Sequence, residues 1–193
     1  MTIQEPMTLA TDYLLALACG GFSVLLFRMK SAATGWWCIG LASVAVAALA
    51  GGTCHGFPSF YPTALWKTTL VAAGAASCAM VIATGIGTRV APKFFFWFSA
   101  VKFAAYLGWT AFDDRFLAVV IDSGSALLIV AAVHAIRRDA AWGWMVGGVA
   151  VSVVGAGVQA MHLAPHPQFN HNDLYHVIQI AAMWLFYRGA RLI

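Results

Sequence analysis

The sequence predicts an all-α integral membrane protein, a single bundle of seven transmembrane helices over residues 1–193 with the N-terminus outside and the C-terminus cytoplasmic. Three observations lead there. The chain is 62% hydrophobic and 9% charged, against roughly 25% charged in an average soluble domain. Its apolar residues fall in runs of about 20, the length a helix needs to cross the hydrocarbon core. Its lysines and arginines gather at one side of those runs, as cytoplasmic loops require.

Seven spans can be drawn, at 9–27, 35–54, 64–86, 94–111, 116–136, 141–162 and 172–188. The first follows a short acidic start, MTIQEPMTLATD, whose lack of a basic segment argues against a cleaved signal peptide. The breaks RMKSAATG, HGFPSFYP, GTRVAPK, DDR, RRDA and HLAPHPQFNHN supply the punctuation between spans. Breaks this short make consecutive helices antiparallel neighbours. Arg28, Lys30, Arg89, Lys93, Arg137, Arg138, Arg188 and Arg191 then share one face. Lys67 and Arg115 fall at the other, and Lys102 lies within the fourth span. Trp36, Trp37, Trp97, Trp142 and Trp144 fit an inner aromatic belt, Trp66 and Trp109 an outer one. The small residues of VAAGAASCA and GVAVSVVGAG suit close helix packing. Cys19, Cys38, Cys54 and Cys78 stand singly in or beside apolar runs and read as packing residues. Nothing in the net charge of +4 points to nucleic acid.

On this topology the titratable residues sort by side. Glu5, Asp12, Asp113, Asp114, Asp122 and Asp173 belong to the outer end or half, and Asp139 alone is cytoplasmic. Five of the six histidines are also outer: His55 ends the second span, His162 ends the sixth, His166 lies in the last loop, and His171 and His176 begin the seventh. His134, one turn before Arg137 and Arg138, reads as interfacial. Charged groups near hydrocarbon are costly, so a cluster of imidazoles and carboxylates marks a candidate functional site.

The densest stretch is HPQFNHNDLYH, 166–176. Asn170 or Asn172 is placed to cap the seventh helix. Asp173 and His176 are three apart and neighbour each other on one face. His171 and His176 are five apart, roughly 140° around an ideal helix, and can share a ligand only if His171 belongs to the cap. Imidazole nitrogens, a carboxylate and one open position are what a catalytic zinc site requires. The expected ligands are His55, His171 and His176, with His162 as the substitute, and Asp173 orients a ligand or relays a proton. Asp122, about two turns inside the fifth span, needs a partner, for which Lys102 and Lys67 are the candidates; a structural ion pair and a catalytic role are both open to it. Asp12 reads as a helix N-terminal charge.

The layout resembles the superfamily of seven-helix membrane hydrolases that includes alkaline ceramidases and adiponectin-type receptors. GGTCHGF puts His55 where that superfamily has its second-helix histidine, and HNDLYH puts His176 at the second histidine of its seventh-helix HxxxH pair. The first histidine of that pair is Asn172 here, the usual serine is Gly51 with Thr53 the nearest hydroxyl, and the early third helix offers Lys67 in place of an aspartate. The resemblance implies a zinc-dependent amidase or esterase acting on a lipid within the bilayer, in the inner cell membrane with its site facing outward. An ammonium at Lys67 would suit a metal-free member. A second reading is a non-enzymatic protein: a metal or proton sensor, a small-solute carrier or an assembly partner. The almost wholly apolar inner halves disfavour transport. A third is a b-type haem protein with His55 and His176 or His162 as axial ligands.

Overall fold

The computed structural model describes residues 3–60 and 64–193. Met1, Thr2 and the Tyr61 and Pro62 of the second break lie outside the described residues. The described residues form seven α-helices: α1 (Pro6–Phe27), α2 (Ala32–Gly56), α3 (Ala64–Gly87), α4 (Pro92–Phe112), α5 (Leu117–Arg137), α6 (Trp142–Ala160) and α7 (His171–Ala190). A short 3₁₀ turn, Pro58–Phe60, follows α2. The boundaries follow local chemistry. Pro6 and Pro92 open α1 and α4, where a missing N–H leaves no gap in the ladder. Ser31 and Thr34 form a reciprocal capping box at the start of α2, and Asn170 and Asp173 form another at α7.

Five helices (α1, α2, α3, α5 and α6) are long and apolar enough to cross a membrane. Neither α4, with Lys93 and Lys102, nor α7, which opens HNDLYHVIQ, is among them. The outward surface is nonetheless greasy all round: Leu17, Phe27, Trp97, Val101 and Leu128 are each at least two-thirds exposed. Such a surface suits lipid rather than water.

Six helices close a ring, in which α1 packs between α2 and α7, α2 against α3, α3 against α5, α5 against α6, and α6 against α7. The fourth helix stands outside this ring on the flank of α3 and barely touches α5. The expectation that consecutive helices are neighbours therefore fails at α4–α5. The reason lies in α3, whose AAGAASCA stretch lets three helices approach it. At Gly74 a side chain would overlap the Tyr106 ring of α4. Tyr106 in turn donates its hydroxyl to the Leu70 carbonyl at 2.7 Å.

The main core lies among α1, α2, α6 and α7 and is built on Leu15, Cys19, Leu41, Met145 and Phe186. Trp37 is wholly buried there, stacked on Phe186 with ring centroids 5.7 Å apart. Its expected place in an aromatic belt is thus wrong: position along the helix axis suggested a belt, but its face points inward. His134 also departs from its interfacial reading. It is fully buried, with Nδ1 2.7 Å from Asp139 Oδ2, while the other oxygen of Asp139 accepts the Ala141 N–H. At the same end Arg188 lies over the Trp144 ring, 4.5 Å from its centroid. Among the described residues Cys19, Cys38 and Cys78 form no disulfide.

Candidate functional site

The opposite end of the bundle, where α1, α3, α5 and α7 begin and α2, α4 and α6 finish, collects most of the polar chemistry. Its centre is the contact between α1 and α7. Thr8, Thr11 and Asp12 lie on one face of α1 at helical spacing and meet Asp173 and His176, which share a face of α7. Thr8 Oγ1 donates to Asp173 Oδ1 at 2.8 Å. The other Asp173 oxygen accepts the Asn170 N–H at 2.7 Å, so this carboxylate both caps α7 and ties it to α1. Three residues on, His176 Nδ1 is 3.1 Å from Thr11 Oγ1 and Nε2 is 3.3 Å from Asp12 Oδ1. Thr8, Thr11, Asp12, Asp173 and His176 are all buried.

Asp12 was read from sequence as a terminal charge. It instead faces the interior in the second turn of α1 and packs on Gly52 of α2, where an added Cβ would come within 2.6 Å of the aspartate Cβ. Its partners are set by the Thr8–Thr11–Asp12 face, a pattern present in the sequence as TLATD. The glycine of GGTCHG is what lets α2 approach so closely.

A second pair lies nearer the surface. His55, in the last turn of α2, has Nδ1 3.4 Å from Glu5 Oε2, and both side chains are part-exposed. Glu5 Oε2 is itself covered and has no hydrogen-bond donor among the described residues. The two residues line a cleft of about 360 Å³ together with Cys54, Pro58, Trp66, Asp114, Arg115 and Phe116. Its walls are fixed from the α4–α5 turn. Lys67 pairs with Asp114 and donates to the Thr110 carbonyl at 2.5 Å, and Trp66 Nε1 donates to the Asp114 carbonyl at 2.9 Å. Arg115 clamps Asp113 through its backbone N–H and guanidinium, which holds that carboxyl well below the usual carboxylate range and raises the guanidinium in turn.

The other expected residues lie elsewhere. His171 is the first residue of α7 and turns toward α6, with Nε2 3.3 Å from His162 Nδ1. Asn172, at the position of the missing histidine, accepts from Gln159 Nε2 at 2.7 Å. Asp122 pairs with Lys102 across α4 and α5, where the lysine also donates to the Asp122 carbonyl at 2.9 Å. Lys67 is not its partner.

The four expected ligands therefore divide among three places: His55 beside Glu5, His176 between Thr11 and Asp12, and His162 with His171. Among the described residues no three His, Cys, Asp or Glu side chains converge on one point. As placed, His55, His171, His176 and His162 are not gathered around one point. What the end of the bundle does present is two histidine–carboxylate pairs: one buried between α1 and α7, one opening on a cleft. No curated protein and no solved structure matches the chain. Residues 7–193 match the model of a family described as a family of unknown function, DUF6962, and the chain belongs to that family.

Proposed function

We propose that the chain is an integral membrane hydrolase that cleaves an amide or ester bond of a lipid, with the His55–Glu5 cleft as its reaction site. All seven helices span the bilayer in this reading. The excess of lysine and arginine at the opposite end supports a cleft on the extracytoplasmic side of the inner cell membrane. The observation that carries the proposal is the cleft itself: a part-exposed imidazole with a carboxylate at its Nδ1, in a recess whose other walls include Pro58, Trp66 and Phe116. Imidazole is the side chain best suited to exchange protons near neutral pH.

The chemistry follows from that pairing. Glu5, whose Oε2 lies 3.4 Å from His55 Nδ1, attracts a proton to that nitrogen and leaves Nε2 to take a proton from water as the water oxygen bonds to the lipid carbonyl carbon. The same nitrogen returns the proton to the departing amine or alkoxide as the carbonyl bond to it breaks. The apolar walls hold the acyl chain beside the carbonyl. No step is routed through zinc, because the expected ligands are not brought together.

The test is turnover by the purified chain in nanodiscs of mixed lipid. Fatty acid released by the wild type and reduced about 10²-fold or more in His55→Gln supports the reading. Release that persists in His55→Gln, or no release from any amide- or ester-linked lipid, rejects it. A second reading, a proton-responsive membrane protein without turnover, is favoured by a different observation: both nitrogens of buried His176 are already engaged by α1. Wild-type nanodiscs that release nothing, yet show a pH-dependent change in α1–α7 spacing that is abolished in His176→Gln, would select it.

A further inference from the structure

We infer that His162 and His171 form a separate surface site for a borderline transition-metal cation of the zinc, nickel or copper class, clasping the end of α6 to the start of α7. The distance is the first support. Two donors bound at about 2.0–2.1 Å to one tetrahedral ion lie about 3.3–3.4 Å apart. His162 Nδ1 and His171 Nε2 are 3.3 Å apart, the spacing of two such donors, and in the metal-free protein they are joined by an N–H···N hydrogen bond. The rings stand nearly perpendicular, at 78° with centroids 4.6 Å apart, so they do not stack face to face.

The backbone is the second and independent support. His162 has φ of 52°, in the left-handed region. Its N–H donates to the Gln159 carbonyl and the following Leu163 N–H to the Val158 carbonyl, the helix-ending arrangement whose left-handed residue is usually glycine. A histidine at that place costs backbone energy that glycine would avoid, and what it provides is an imidazole aimed at His171. Among the described residues, the other four side-chain-bearing positions of positive φ (Lys30, Arg89, Ala91 and Arg138) all lie at the opposite end of the bundle. His171 is equally fixed, as the first residue of α7 behind the Asn170 capping box. The Gln159–Asn172 hydrogen bond ties the two helices beside the pair.

Both rings can serve as ligands in the neutral form. In the metal-bound form His162 would carry its proton on Nε2 and His171 on Nδ1, which needs a tautomer change in one ring and no net proton release. His162 is exposed and His171 half-buried, which leaves the ion open to water for its remaining positions. His166, in the same loop, is not part of the pair, because its Nδ1 already accepts the Gln168 N–H and its proton therefore sits on Nε2.

The test is calorimetric titration of the full-length chain, purified without a histidine tag and held in nanodiscs, with zinc alone and with nickel alone. The wild type binds one ion per chain saturably, and zinc raises its melting temperature. His162→Gly removes the imidazole while relaxing the left-handed backbone, so it keeps or raises the metal-free melting temperature yet weakens binding at least tenfold. His171→Ala weakens it likewise, whereas His55→Gln and His176→Gln bind as the wild type does. Absence of saturable binding in the wild type, or binding that survives in His162→Gly, overturns the inference. Loss of binding in His55→Gln or His176→Gln overturns it too, by moving the ion to the other end of the histidine set. Turnover enters none of these readouts, so this site stands or falls apart from the lipid-cleft reading.

Discussion

Two buried polar assemblies cross between helices in this bundle, and they are built on opposite plans. The Lys102–Asp122 pair joins α4 to α5 through one lysine–carboxylate contact, and Lys102 adds a bond to the Asp122 backbone carbonyl. It sits where α4, peripheral to the ring, has little other contact with α5. The α1–α2–α7 end instead distributes its polarity over Thr8, Thr11, Asp12, Asp173 and His176, each held by modest hydrogen bonds, with His55 and Glu5 beside a cleft. A single strong ion pair is suited to holding a helix in place. A part-exposed histidine and carboxylate that line a recess are suited to exchanging protons with something that enters it. The contrast teaches that charge inside a membrane protein is not by itself a mark of function; the number of alternative partners and the access to space decide it.

The largest expected effect lies at the ion pair. Lys102→Met leaves Asp122 buried without its counter-charge and should destabilise the protein by about 3–5 kcal/mol. The double variant Lys102→Met with Asp122→Leu should recover most of that loss. Thermal unfolding in detergent measures both, and a single variant as stable as wild type would dissolve the contrast.

Next comes the close approach of α2 to α1. Gly52→Ala must push a Cβ into Asp12 and should cost about 1–3 kcal/mol, because helix backbones rather than a side-chain tip have to move. Gly20→Ala, with nothing within 4 Å of its added Cβ, is the control and should be neutral or slightly stabilising. Equal losses at the two glycines would mean that the α1–α2 approach is not special.

Smaller still is the loss from Thr11→Val, which removes one interhelical hydrogen bond to His176. Such bonds average about 0.6 kcal/mol in membrane bundles. Thr8→Val should cost more than Thr11→Val, since it strips a buried carboxylate oxygen of its donor.

The smallest effect belongs to the surface clamp. Asp113 is held below its usual range by Arg115, so its stabilising contribution is present above the unfolded carboxyl value and is lost as pH falls through the folded one. Arg115→Gln should raise the Asp113 titration toward that of a free aspartate, read by carboxyl carbon NMR, with little change in melting temperature. An unmoved Asp113 titration would show that the clamp is not formed.

Much of the fold was legible because hydrophobic run length reports depth in a bilayer directly. The seven helices fall within a few residues of the runs, and Asn170 caps α7 through the HND signal. Lateral order was not legible, since hydropathy says how far along its axis a residue lies and nothing about which helix it meets. That is why α4 was expected beside α5, and why Trp37 was assigned to a belt. The 140° separation of His171 and His176 did carry their divergence, one to α6 and the other to α1. Asp12 was missed because it was judged by distance from the helix start. Its face, shared with Thr8 and Thr11, held the better signal. His134 was misjudged by its neighbours in sequence, the exposed Arg137 and Arg138, when Asp139 beyond them turns back to meet it.

The central claim is that the cleft end works while the α4–α5 pair only holds. Lipid turnover in nanodiscs, measured side by side for His55→Gln and for the Lys102→Met, Asp122→Leu double variant, tests it most directly. The account predicts a loss of about 10²-fold or more in the first, with its melting temperature kept, and turnover within about twofold of wild type in the second. Full turnover in His55→Gln with loss in the folded double variant would contradict it and move the working site to the middle of the bundle.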